Sequence, residues 1–160
     1  MPSQVLSEQS TCVHAFAALL RAHAAATRRL SAQLTTDHGL TISDFEVLLR
    51  LARAPDRRMR RVDLAQQVVL TASGVTRLLD GLERSGFVAR DSCDSDRRVV
   101  YAVLTEAGLA KISEAATSHF AQVDEMFGAR FEAAELDELA SLLSKLGDED
   151  VELPCEPAAT

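Results

Sequence analysis

The chain has 160 residues, 47% of them hydrophobic, and a formal charge of −7, a composition that suits one globular unit with a modest core. No apolar stretch reaches the ~18 continuous residues of a membrane span, and the start, MPSQVLSEQS, lacks the basic segment and apolar run of an export signal. Three cysteines without a CxxC, Cys12, Cys93 and Cys155, suggest neither a disulfide framework nor a zinc finger, so the expected compartment is the reducing cytoplasm.

Taken alone, the acidic balance argues against a nucleic-acid partner, because phosphate binding depends on Lys and Arg. Its distribution points the other way. Residues 50–100 hold eleven arginines against seven acids, a net +4, so the remainder carries −11. At physiological salt charges act over only ~8 Å before screening dominates, and a basic centre inside acidic flanks keeps its own local field. Arginines that merely solvate helix faces are the competing explanation, and the local pattern has to decide.

In chain order, Val13, Phe16, Ala17, Leu20, Ala24, Leu30 and Leu34 recur at helical spacing and predict an amphipathic helix over about 11–36. Asp37-His38-Gly39 ends it. Thr41 as a capping residue, with Asp44 three positions on, then opens a second helix over about 42–53, carried by Phe45, Leu48, Leu49 and Leu51. Pro55-Asp56 breaks that helix, a basic segment follows, and Leu64, Ala65 and Val68 mark a short third helix whose small Ala65 permits close helix approach. The next periodic run, Val75, Leu78, Leu79 and Leu82, has Thr71 as its N-cap and Gly86 placed to end it in a left-handed turn.

Two helices joined by a tight turn can set the exposed N-terminal face of the second into a DNA major groove. That face is Thr71, Ser73, Gly74, Thr76 and Arg77, with Arg60 on the basic segment ahead of it. Hydroxyls and helix N-terminal amides bind phosphate, and Arg77 can reach phosphate or the two acceptors of a guanine edge. A capped surface helix accounts for the Ser and Thr residues equally well.

After Gly86, Phe87-Val88-Ala89-Arg90 reads as a strand, Asp91 to Asp96 as a polar turn and Val99 to Leu104 as a second strand. Arg97 and Arg98 fall near the tip of this hairpin beside Asp96, where a carboxylate can brace a guanidinium aimed into the electronegative minor groove. The plainer alternative is an exposed Asp96–Arg98 pair within the turn, of little consequence for stability.

The stretch LAQQVVLTASGVTRLLDGLERSGFVARDSCDSDRRVVYAVLTEAG, residues 64–108, resembles the winged-helix core of the multiple antibiotic resistance regulator (MarR) family of bacterial transcription factors. The likeness rests on Thr76-Arg77-Leu78-Leu79-Asp80-x-Leu82, Gly86-Phe87-Val88-x-Arg90, Asp96-Arg97-Arg98 and Leu104-Thr105-x-x-Gly108 taken together. It implies a mainly α fold with a small β wing: an N-terminal dimerisation helix (1–36), a winged helix-turn-helix that binds DNA (37–105), and C-terminal dimerisation helices (106–147). An acidic tail (148–160), expected to be disordered, completes the chain.

The resemblance further implies a homodimer on double-stranded DNA with an inverted-repeat operator, acting as a repressor. A final helix with Leu136, Leu139, Ala140, Leu143 and Leu146 on one stripe offers the apolar surface a dimer needs, although packing on the first helix would also cover it. Release by a small aromatic or phenolic effector is the family's habit, and His14, Phe16, His23 and Phe45 are the residues that could line such a cleft. Each also fits a plain packing role.

Cys12, near the start of the first helix, opens the alternative of a thiol-based redox sensor, but Tyr101 is the only tyrosine and lies in the wing strand, unlike the family's peroxide sensors. A winged helix used only to bind protein is a second alternative. No metal site or cofactor is expected, since the four histidines lack a ligand spacing. Nor is an enzyme, since no Gly-rich phosphate loop, HExxH or nucleophile elbow is present.

Overall fold

The computed structural model describes residues 10–68, 72–92 and 99–146. Helix α1 (Thr11–His38) starts where the Ser10 hydroxyl accepts a hydrogen bond from the Val13 amide, and stops at Gly39, whose φ of 66° places it in the left-handed region. It runs two residues past the position expected from periodicity, because His38 is buried one turn beyond Leu34 on the same face. Helix α2 (Ile42–Arg53) has the anticipated capping box: Thr41 Oγ1 accepts from the Asp44 amide at 3.1 Å, and the Thr41 amide donates to Asp44 Oδ2 at 2.9 Å. Its Phe45, Val47, Leu48, Leu49 and Leu51 make it the central helix of the core.

Past a tight turn at Pro55–Arg57, the basic segment forms a strand that sequence patterning does not reveal, β1 (Arg58–Arg60). Three residues are too few to show alternation, and the pairing partner, Tyr101 to Val103, lies some forty residues downstream. Helix α3 (Arg61–Gln67) and helix α4 (Ala72–Arg84) follow, burying Leu64 and Val68 from one side and Val75, Leu79 and Leu82 from the other. Gly86, at φ 76°, makes the left-handed exit expected of it.

Strands β2 (Val88–Ser92) and β3 (Val100–Leu104) pair antiparallel, with β1 on the far side of β3. Asp91 and Ser92, expected in the turn, are instead the end of β2, paired with Tyr101 and Val100. Thr105 caps α5 (Glu106–Gly128) by accepting from the Gly108 amide, and α6 (Ala133–Ser144) closes the described chain.

One core joins these parts, with Leu34 of α1, Leu48 and Leu51 of α2, Leu64 of α3, Val75 of α4 and Ile112 of α5 all but sealed from solvent. The winged unit is thus packed directly on the ends of the long helices. The outer two thirds of α1 and all of α6 contain no fully buried residue in the single chain. Among the described residues no helix is long and apolar enough to cross a membrane.

Candidate nucleic-acid interface

The α3–α4 pair presents part of the face anticipated from the sequence. With Val75 and Leu79 turned into the core, Ser73 and Arg77 are exposed and Gly74 and Thr76 half-buried. Arg77 makes no hydrogen bond or ion pair among the described residues, which leaves its guanidinium available to an outside acceptor. Thr71, Asp96, Arg97 and Arg98 lie outside the described residues, so the structure is silent on the cap of α4 and the tip of the wing.

Most of the described arginines that give the region its positive balance serve the scaffold. Arg60 forms a two-pronged pair with Asp63, Nε to Oδ2 at 2.7 Å and Nη2 to Oδ1 at 2.8 Å. The bond holds the Asp63 carboxyl below the usual carboxylate range and pushes the Arg60 guanidinium further up. Arg61 donates from Nη2 to Thr76 Oγ1 at 2.6 Å, linking α3 to α4. Arg90, at the middle of β2, grips both Asp80 and, at 2.8 Å, Glu83, fastening the wing to the outer side of α4. Arg58 stacks 4.0 Å over the Tyr101 ring and lies 3.7 Å from Asp91, and Arg57 bonds Glu106 at 2.8 Å. Charge counting treats these groups alike; the structure separates braces from free donors.

The four residues considered for an effector cleft are not brought together in the single chain. His14, Phe16 and His23 are exposed along α1, where His23 lies 3.5 Å from the Thr27 hydroxyl, whereas Phe45 is buried with its ring 4.5 Å from that of His119. A polar cluster missed in the sequence lies beside Phe45. His38 Nε2 and Ser118 Oγ are 2.6 Å apart, Gln33 Nε2 donates to the same hydroxyl at 3.2 Å, and Ser118 donates to the Ala115 carbonyl at 3.2 Å. Glu114 stands 3.9 Å from His38 Nδ1. Burial lowers the pKa of the adjacent His119, with the charge of His38 adding to the effect. Eighty residues separate His38 from Ser118, so no local spacing could have announced the cluster.

Cys12 is exposed at the start of α1, and among the described residues no three potential ligands converge on a metal position. Among the described residues, six of the eight exposed large apolar side chains gather at two places, Val13, Phe16 and Leu20 on α1 and Leu142, Leu143 and Leu146 at and just past the end of α6; Val62 and Phe131 stand apart. Between α5 and α6 runs an apolar groove of about 540 Å³, lined by Val123, Phe127, Leu136, Leu139 and Leu143.

The MarR family model matches residues 40–100, the segment from α2 to the start of β3. The HTH-type transcriptional repressor YetL of Bacillus subtilis is 35% identical over 85 residues, which cover 53% of this chain and 51% of YetL, so the chain aligns with about half of that relative's length. Among solved structures, AbsC, a MarR family transcriptional regulator from Streptomyces coelicolor, superposes with a TM-score of 0.79 at 31% identity, covering 87% of this chain and 94% of AbsC. Sco3205, a MarR family regulator from the same organism solved in complex with DNA, gives a TM-score of 0.80 at 25% identity over 92% of this chain and 96% of that one.

Proposed function

The chain belongs to the MarR family of transcriptional regulators, and from that membership we propose that it reads an inverted-repeat operator as a homodimer, represses transcription there, and releases DNA when a small aromatic or phenolic effector binds. A regulator of this kind is not an enzyme; its work is done by binding. The observation that carries the proposal is the outer face of α4, where Arg77 stands exposed and uncommitted among small polar neighbours on a helix that is firmly buried behind. A guanidinium so placed suits a guanine edge or a phosphate, and Ser73 with the helix N-terminus suits a phosphate. Asp96, Arg97 and Arg98 complete the proposal as the groups that enter the minor groove.

Dimerisation is supported by what the single chain leaves undone. Helix α6 buries none of its residues, and Leu142 and Leu143 remain half-exposed. Val13, Phe16 and Leu20 of α1 form a second apolar strip of matching character, and the α5–α6 groove supplies a receptacle. Two copies related by a two-fold axis could bury both strips at once and would set the α4 helices about one DNA turn, ~34 Å, apart. Sco3205, of similar fold, was solved in complex with DNA, which supports a DNA partner here. The repressor role follows the name of YetL.

The test is a salt titration of binding to promoter DNA flanking the gene. The proposal expects affinity that falls steeply with added salt, two chains per duplex, and a marked loss on Arg77→Ala or Arg98→Ala. Binding indifferent to salt and to both substitutions would leave the DNA-reading proposal without support.

A further inference from the structure

We infer that Arg61 is a positioning residue for the α4 helix: by holding the Thr76 hydroxyl from the start of α3, it sets the rotation at which α4 meets DNA. The inference rests on the DNA-reading role proposed above and goes beyond it, because Arg61 belongs to neither the exposed face of α4 nor the wing.

Three features support it. The bond from Arg61 Nη2 to Thr76 Oγ1 is short, 2.6 Å, and charge-assisted, and it spans fifteen residues from the first turn of one helix to the second turn of the other. Apolar groups also pack between the helices, Leu64 and Ala65 with Val75, and these fix how closely α4 approaches but resist its rotation only weakly. A directional bond at position 76 supplies that restraint one residue from Arg77, where a small turn of the helix axis becomes a large displacement of a long side chain.

The third feature is that Arg61 is kept to this task by its surroundings. Its neighbour Arg60 is occupied by both carboxylate oxygens of Asp63, so the two guanidinium groups do not compete for one partner. Arg61 itself borders an apolar cleft of about 270 Å³ with Val62, Ala65, Val75 and Val100, which suits its aliphatic stem and directs its polar end toward α4. A half-buried guanidinium set among these groups is poorly placed to be a simple phosphate contact.

The experiment selects binding duplexes from a random-sequence pool with the wild-type chain, then measures anisotropy on a selected and a scrambled duplex across ~50–200 mM salt. Arg61→Ala should weaken the selected duplex about tenfold while leaving the scrambled duplex and the salt slope unchanged. In a Thr76→Val background the same substitution should have no further effect, and Thr76→Ser and Arg61→Lys, which keep the acceptor and a donor, should retain most of the affinity. Equal losses on both duplexes with a slope lower by about one would make Arg61 a phosphate contact and overturn the inference, as would additive losses in the double variant. Thermal melting checks that each variant is folded; if Arg61→Ala is not, Arg61→Lys and Arg61→Gln in the two backgrounds make the same comparison. Failure of the wild type to enrich any sequence is a different result, and it would count against the DNA-reading proposal itself.

Discussion

Gly108, in the first turn of α5, lies against the backbone carbonyl of Phe87 with no room for a side chain. A Cβ at this position would fall 2.7 Å from Leu104 Cδ1 and 2.9 Å from the Phe87 carbonyl carbon. The same carbonyl accepts the Thr105 amide at 3.0 Å, while the Thr105 hydroxyl donates to the Gly86 carbonyl at 2.7 Å and accepts the Gly108 amide at 3.0 Å. The wing hairpin is therefore stitched to the long helix at its base. Gly108→Ala should overpack this junction and cost ~1–3 kcal/mol. Gly81, on an open face of α4 with nothing within 4 Å of where a Cβ would stand, should gain ~0.5–1 kcal/mol on substitution by Ala. Urea denaturation of the two variants gives the sign of each; a Gly108→Ala chain as stable as wild type would refute the packing argument.

Arg77 and Arg60 are seventeen residues apart in sequence and look alike there, yet they differ in commitment. Arg77→Ala should weaken binding to the operator by ~10–100-fold, the value of one bidentate base contact. Arg60→Ala should do less, because its charge is already matched by Asp63. The converse substitution separates them best. Asp63→Asn frees Arg60, and non-specific DNA affinity should rise with a steeper salt dependence. Anisotropy on a scrambled duplex reads this directly, and an unchanged affinity would mean that Arg60 faces away from DNA.

The contrast between these two arginines shows how far the sequence carried. Apolar periodicity located α2 at Ile42–Arg53, and the Thr41–Asp44 box and Gly86 turn formed as expected, because each depends on residues within a few positions. The exposure of Ser73 and Arg77 on α4 was legible for the same reason, while Gly74 and Thr76 of the expected outward set are half-buried. What depended on distant contacts was not: β1 exists through its pairing with β3, and the His38–Ser118 contact joins α1 to α5. The eleven arginines suggested a basic surface, but only a structure could show that Arg57, Arg58, Arg60 and Arg90 are held by acids of the same chain.

If α1 and α6 cover each other across a two-fold axis, charged groups on those strips should separate the subunits without unfolding them. Phe16 is 61% exposed and Leu143 40% exposed in the single chain, so Phe16→Asp and Leu143→Asp remove nothing from the core. Sedimentation should then report half the wild-type mass with unchanged circular dichroism. Operator affinity should fall ~10²–10⁴-fold, because the second half-site is no longer linked to the first. A variant of normal mass would place the subunit contact elsewhere.

The pH dependence of stability should come in part from His119. The residue is 6% exposed and its ring packs between Phe45, 4.5 Å away between centroids, and Phe120 at 6.1 Å, with Nδ1 buried and lacking a hydrogen-bond partner among the described residues. Burial holds its pKa below the ordinary 6.5, and the nearby His38 acts in the same direction. The unfolded chain therefore takes up the proton more readily than the folded one, and stability rises with pH wherever that difference exists. The contribution is complete above about 6.5 and is lost as pH falls from there through the lower folded value. Urea midpoints at about pH 7.5 and about pH 5.5 should show the wild type weakened at the lower pH. His119→Phe keeps an aromatic ring in the same place and removes the titration, so its midpoint should shift less. A slope as steep as that of the wild type would show that protonation elsewhere governs the acid limb.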